Sequence, residues 1–472
     1  MLNPVDFSGR PFHFVGIGGI GMSAIAYILA KQGFTVSGSD LSSNRITQKL
    51  QDLGIKIFQG HHADNLDLSN APQVVCSTAI NQQNPEFQVA LANNLPILHR
   101  SDLLAALIEQ FQAISVAGTH GKTTTSSLVG FLLLKAGLDP SIIIGGEVSA
   151  WEGNARLGNS KYLVAEADES DGTLVKFRSH IGIITNIELD HPDHYQNLDQ
   201  VVEIFQTFAK RCDVVVGCID CPTVKANIQS DITYSLSSLS EPTADYTVAE
   251  VQYNSADTQA LVIERGKTLG RISIGLLGKH NLSNTLAAIA VARYLGVEWQ
   301  AIAEALPDFV GASRRFEVKG IQNGITFVDD YAHHPSEIMA TLASARQQNT
   351  SSRVVAIFQP HRYSRTYRFL EEFSHSFTEA DMVIVTDIYA ASEPNDGKIT
   401  GSQVAEAIAA THAERNGSQI HYLPTLQDVQ SFLVNHLEFG DLAVFLGAGN
   451  LNQAIAPTMQ ELSQNPKSNF PV

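Results

Sequence analysis

Short apolar runs alternate along this chain with stretches whose apolar positions fall at helical spacing, and glycines or polar clusters punctuate the change from one to the other. Residues 12–15 form such a run, ending in Gly16-Ile17-Gly18-Gly19-Ile20-Gly21; apolar positions at helical spacing follow from 22 to 31, with Gly33 as the stop. The spacing predicts further strands at 34–40, 55–58, 73–78 and 94–98, then at 113–117, 161–166 and 181–186. From 220 to 271 helical periodicity fades and β-branched residues alternate with Ser and Thr, which predicts an antiparallel, partly exposed β insertion without assigned chemistry. An Ala-rich helix follows, and strands are predicted again at 325–328, 353–358, 381–386 and 442–446. Strands alternating with helices predict an α/β fold.

Length divides that pattern. A chain of 472 residues is too long for one hydrophobic core, so three domains are expected. The predicted divisions are 1–108, a Rossmann-like N-terminal domain; 109–312, a central P-loop α/β domain; and 313–472, a C-terminal Rossmann-like α/β domain. Net charge is −17, with no basic stripe to meet nucleic-acid phosphates, and no apolar run is long enough for a membrane span. Nucleic-acid and membrane partners are therefore not expected, and nothing in the sequence targets or anchors the chain. The four cysteines suit reduced thiols in a cytoplasmic protein, and Cys218-Ile-Asp-Cys221 lacks a second pair, so it reads as a structural turn.

The chemistry concentrates at the ends of the predicted strands. Residues 113–117 lead into Gly118-Thr119-His120-Gly121-Lys122-Thr123-Thr124 and a helix, the arrangement in which backbone N–H groups cradle a phosphate, a lysine neutralises it and a hydroxyl holds Mg²⁺. Val116 stands where the full motif has its first glycine, but strand, turn and helix come in the required order. Nucleoside triphosphate binding follows. The next two strands end in Glu166-Ala-Asp168-Glu169 and in Asn186 to His194, bringing hard oxygens and an imidazole towards the same place. Most single acids there could equally cap helices or face solvent.

Other segments leave alternatives open. The turn from Gly16 to Gly21, with Asp40 ending the next strand, specifies a diphosphate on a helix N-terminus and taken alone suits a nicotinamide dinucleotide. Asn281 and Asn284 share a helical face, where they could contact an adenine or cap the helix. In the third domain, strand ends carry Asp329-Asp330-Tyr331-Ala-His333-His334 and Gln359-Pro-His361-Arg362-Tyr-Ser-Arg365. Two arginines three apart suit a carboxylate or phosphate, or one of them a structural salt bridge.

Taken together, these motifs resemble the Mur ligase family of peptidoglycan synthesis over nearly the whole chain. The resemblance rests on His-Phe-Val-Gly-Ile-Gly-Gly-Ile-Gly-Met, Gly-Thr-His-Gly-Lys-Thr-Thr-Thr, Glu-Ala-Asp-Glu-Ser-Asp, Asp-Asp-Tyr-Ala-His-His-Pro and Gln-Pro-His-Arg-Tyr-Ser-Arg-Thr. It implies an ATP- and Mg²⁺-dependent amide ligase that joins L-alanine to UDP-N-acetylmuramate through an acyl phosphate, acting as a monomer or homodimer. By the same resemblance, Gly16, Gly18, Gly19, Gly21 and Asp40 hold the UDP-sugar. The loop from Gly118 to Thr124, with Asn281, Asn284, Arg315 and Asp330, holds ATP. Thr123, Glu166 and His191 take the metal, and Tyr331, His333, Arg362 and Arg365 surround the amino acid. Lys122, Glu166, His191 and His333 are the implied catalytic groups, with His333 a candidate base. Asn450 departs from the family pattern, where an acid is common. A sister ligase adding another amino acid or a peptide is the alternative; an NAD-dependent oxidoreductase would leave the phosphate loop unexplained, and the dense polar strand ends argue against a non-catalytic scaffold.

Overall fold

A computed structural model describes residues 4–237, 243–348, 352–412 and 419–464. The first sheet comprises β1 (Phe12–Val15), β2 (Val36–Asp40), β3 (Lys56–Gln59), β4 (Gln73–Cys76) and β5 (Ile97–His99), all parallel in the order β3-β2-β1-β4-β5. Parallel strands need helical crossovers on both faces, and β1 is buried at all four positions.

The second sheet has ten strands. β6 (Gln112–Ala117), β7 (Ser141–Val148), β8 (Gly153–Arg156), β9 (Tyr162–Glu166), β10 (Ser179–Ile184), β11 (Cys212–Cys218) and β12 (Ile232–Tyr234) are followed by β13 (Tyr246–Tyr253), β14 (Thr258–Glu264) and β15 (Lys267–Ile274). They run in the order β15-β14-β13-β12-β11-β10-β6-β9-β7-β8. The expected antiparallel insertion holds only in part. β13 to β15 are antiparallel neighbours, but a helix, Pro222–Asn227, comes first and β12 pairs parallel to β11. The segment therefore extends the central sheet, and residues 238–242 within it lie outside the described residues. The β7–β8 hairpin goes beyond the predicted elements.

The third sheet comprises β16 (Glu317–Gln322), β17 (Ile325–Asp330), β18 (Val354–Phe358), β19 (Met382–Val385), β20 (Gln419–Tyr422) and β21 (Leu442–Leu446), in the order β16-β17-β21-β18-β19-β20. Only β16 is antiparallel to its neighbour. The molecule is thus an α/β protein of three parallel-rich sheets. All four cysteines are free, and among the described residues no helix is long and apolar enough to cross a membrane.

Ion pairs and hydrogen bonds sew the bodies together. Lys176 of the second reaches Asp102 of the first at 2.7 Å, and Ser336 Oγ of the third donates to Glu188 of the second at 2.6 Å. The C-terminal ends of β6, β9 and β10 consequently face both neighbours, where open α/β sheets place their ligands.

Candidate active site

The phosphate loop owes its glycines to what packs against it. Gly118 has φ +145°, and a Cβ there would lie 1.9 Å from Thr185 Oγ1 at the end of β10. Gly121 starts the helix Lys122–Lys135 at φ +81°, where a Cβ would lie 2.6 Å from Asn284 Oδ1. Any side chain at either place would push the loop off its supports. Asn186 clamps the loop from outside: its Oδ1 accepts from His120 N at 2.8 Å and its Nδ2 donates to His120 O at 3.0 Å.

Lys122 Nζ donates to Gly118 O at 2.7 Å, to Thr119 O at 3.1 Å and to Glu169 Oε2 at 2.8 Å. Burial works against its charge, but Glu169 and Asp168 hold the proton on and raise its pKa. Burial pushes Glu169 up to about 7, against the pull of Lys122 and with Asp168 adding to the rise. Sequence reasoning placed Glu169 in the acidic burst without giving it a role. Its role here is to hold the lysine in the mouth of the loop.

Thr123, Glu166 and His191 converge on one cavity of about 520 Å³, which Lys122, Asp168 and Arg100 also line. Glu166 ends β9 and accepts from Gly145 N in β7 at 2.8 Å, so the unpredicted hairpin orients it. His191 sits at φ +54°, and burial lowers its pKa although Asp190 opposes. A hydroxyl, a carboxylate and a neutral imidazole form a donor set that fits a divalent cation beside phosphate oxygens.

A second cavity of about 240 Å³ adjoins the first, the two sharing His120, Gly121, Arg315 and Glu337. Asn281 and Asn284 line it from the helix Lys279–Tyr294. They do not cap that helix: Gly278 begins it without a side-chain cap, and Asn281 Nδ2 donates to Leu277 O at 2.7 Å. Asp330 enters from β17, accepting from Phe316 N and Ala332 N, and burial pushes it up to about 6.

His120 joins the two bodies. Its Nδ1 lies 3.2 Å from Glu337 and its Nε2 3.5 Å from Glu188. Burial would lower its pKa, yet the two glutamates raise it to about 10. His120, Glu188 and His334 also bring donor atoms within 4.8 Å of one another. The charged His120 ring already serves the two carboxylates, so no metal is assigned there.

The third body brings Tyr331, His333, Arg362 and Arg365 to the large cavity, and His361 with them. Arg362 is ion-paired with Asp193, while Arg365 Nε donates to Asp190 at 2.8 Å, both partners nearly sealed from solvent. The salt-bridge reading left open for one arginine therefore describes both. From the first body Ile20 and Gly21 of the glycine turn line the cavity, beside Arg100. Gly16, Gly18, Gly19 and Asp40 lie behind it; Asp40 accepts from Gly18 N at 2.8 Å and from Ser42 N at 3.1 Å, so its carboxylate shapes the turn.

Arg100, Glu169, Glu188, Asp190, Glu337 and His361 are the site residues that sequence reasoning passed over. Two carried a usable signal: Asp190 adjoins His191 at a strand end, and His361 adjoins Arg362. Arg100, Glu188 and Glu337 gain their places through contacts between bodies, and Glu169 through Lys122 of its own body.

Three family descriptions match successive parts of the chain: "Mur ligase family, catalytic domain" over residues 11–112, "Mur ligase middle domain" over 116–292 and "Mur ligase, glutamate ligase domain" over 314–449. A UDP-N-acetylmuramate–L-alanine ligase of Nostoc punctiforme is 59% identical, over 99% of this chain and 100% of that protein. Its counterpart in Thermosynechococcus vestitus is 55% identical, over 98% and 97%. Among solved structures, a UDP-N-acetylmuramate–alanine ligase of Thermotoga maritima aligns with a TM-score of 0.82 at 29% identity, over 96% of this chain and 99% of that one.

Proposed function

The chain belongs to the Mur ligase family, and from that premise we propose that it uses ATP to join L-alanine to the carboxylate of UDP-N-acetylmuramate, releasing ADP and phosphate, in the cytoplasmic synthesis of peptidoglycan precursor. The observation that carries this reading is the large cavity, where a phosphate loop, a set of oxygen and imidazole donors and a cluster of His and Arg from the third body meet. Residues 1–108 hold the UDP-sugar, with Gly16 to Gly21 on its diphosphate. Residues 109–312 hold ATP, and 313–472 the amino acid. The adjoining cavity takes the adenine between Asn281 and Asn284, with Arg315 and Asp330 closing on the nucleotide from the third body.

A carboxylate does not acylate an amine because oxide is a poor leaving group. Its oxygen therefore attacks the γ-phosphorus of ATP, ADP leaves, and the acyl phosphate that results is open to the amine. Carboxylate and triphosphate repel each other, and Lys122, freed from Glu169 as phosphate oxygens arrive, supplies the compensating charge within the loop. Thr123, Glu166 and His191 would hold Mg²⁺, which screens the phosphate charge when bound. Reactants carried by three bodies reach attack geometry only when those bodies close, and His120 between Glu188 and Glu337 holds that closure.

Phosphate release from ATP with UDP-N-acetylmuramate tests the proposal, comparing L-alanine, glycine, L-serine and no amino acid. Release that needs sugar and L-alanine together, and is lost in Lys122→Ala, supports it. Release with no combination would overturn it.

A further inference from the structure

Two histidines of the large cavity, His333 and His361, are held by partners that can each do only one thing. His333 Nδ1 lies 2.9 Å from Tyr331 O and 3.3 Å from Glu337 Oε2. A carbonyl and an ionised carboxylate only accept, so Nδ1 carries the ring proton and Nε2 keeps its lone pair. His361 Nδ1 lies 3.2 Å from Arg365 Nη1. A guanidinium only donates, so here Nδ1 keeps the lone pair and Nε2 carries the proton. The two rings thus present opposite chemistry, a base and a donor, with centroids 5.7 Å apart. Among the described residues neither Nε2 has a protein partner, and both rings line the cavity.

Neither tautomer is free to invert. Arg365 is fixed by Asp190 through Nε at 2.8 Å and Nη2 at 3.3 Å, and His361 stacks on Tyr389 at 5.8 Å. Glu337 is fixed by His120 at 3.2 Å and accepts from His333 N at 3.0 Å. The groups facing His333 are Glu337 from the helix Pro335–Gln348, Arg365 from the helix Tyr363–Arg368, Asp190 from the turn after β10, and His361. Burial lowers His333 to about 4, with Glu337 and Asp190 opposing and Arg365 assisting, and lowers His361 to about 3, so both rings are neutral at pH 7.

Resting on the ligase reading above, we infer that His333 Nε2 accepts the proton shed by the attacking alanine nitrogen, while the Nε2–H of His361 binds the alanine carboxylate. Of the two protons an alanine ammonium must lose, one goes to water as the neutral amine forms. The other passes to His333 Nε2 as nitrogen bonds to the acyl carbon, and the carbon–oxygen bond to phosphate breaks with its electron pair. Glu337 stabilises the imidazolium formed, which returns its proton to water. An α-amino acid suits the pair because its amine and carboxylate share one carbon. Arg365 becomes a positioning residue that acts through His361.

Long-range ¹H–¹⁵N spectra of the intact enzyme read the two tautomers without any reaction, with His333→Gln and His361→Gln assigning the signals. Nδ1–H at His333 and Nε2–H at His361 are expected; the reverse at either ring overturns the assignment. The catalytic roles are tested by running ATP and UDP-N-acetylmuramate with hydroxylamine, whose amine is already neutral and which traps the acyl phosphate as a hydroxamate, against L-alanine. In His333→Gln the ratio of hydroxamate to alanyl product should rise by about 100-fold or more, the scale of a lost general base. In His361→Ala the KM for L-alanine should rise, and His361→Gln, which keeps a donor, should recover most of it. An unchanged ratio in His333→Gln overturns the base assignment while the ligase stands. Wild-type enzyme that gives neither hydroxamate nor alanyl product overturns the ligase reading itself.

Discussion

Arg365 of the third body lies 2.8 Å from Asp190 of the second, with 2% and 5% of their side chains exposed. Burial alone would raise the Asp190 carboxyl, and Arg365, with His191, His334 and His333, instead holds it well below the usual range. A buried pair is informative when broken, since removing one partner strands the other charge at a cost of about 3–5 kcal/mol. Asp190→Ala should therefore lower kcat/KM for L-alanine and loosen the contact between the bodies. The double variant Asp190→Ala/Arg365→Ala should lose less than the two single losses combined, which a double-mutant cycle on kcat/KM would measure.

The P-loop histidine gives a pH dependence with a definite sign. Burial would lower His120, but Glu188 and Glu337 raise it from 6.5 to about 10. Its contribution to stability is complete below 6.5 and is lost as pH rises towards about 10, because the unfolded chain releases the proton first. The melting temperature of wild type should exceed that of His120→Gln at neutral pH, and the gap should close as pH rises through this window.

Gly118→Ala tests the loop without touching a charge. At φ +145°, with Thr185 Oγ1 only 1.9 Å from the added carbon, the loop must leave its support. ATP affinity measured by calorimetry should fall about 100-fold or more, the scale of misplaced reacting groups, while the rest of the fold keeps its melting transition.

Glu166→Gln separates metal from amino acid. With one carboxylate gone from the donor set, the Mg²⁺ concentration for half-maximal rate should rise at least about 10-fold, a loss typical even of an outer partner. The KM for L-alanine at saturating Mg²⁺ should hold steady, because the proposed amino-acid contacts come from the third body.

What was legible in the sequence was whatever one segment encodes by itself. The apolar runs at 12–15, 113–117 and 442–446 became β1, β6 and β21 because buried parallel strands read as continuous apolar stretches. Gly118 and Gly121 were legible because a phosphate loop needs bare backbone at fixed spacing. The pair Glu337 and His120 was not, for the two lie 217 positions apart and Glu337 reads locally as an acid in the first turn of a helix. Asp40 was legible as an acid at a strand end, whereas its hold on Gly18 N was not, because spacing does not show which backbone group folds back onto it. The capping role weighed for Asn281 failed because that amide turns back to Leu277 O in the buried second cavity.

One oxygen decides whether the muramate carboxylate is activated as an acyl phosphate. UDP-N-acetylmuramate labelled with ¹⁸O in its carboxylate, turned over with ATP and L-alanine, should transfer one labelled oxygen to each phosphate released, read by mass spectrometry. Phosphate free of label, with alanyl product still formed, would rule out the acyl phosphate.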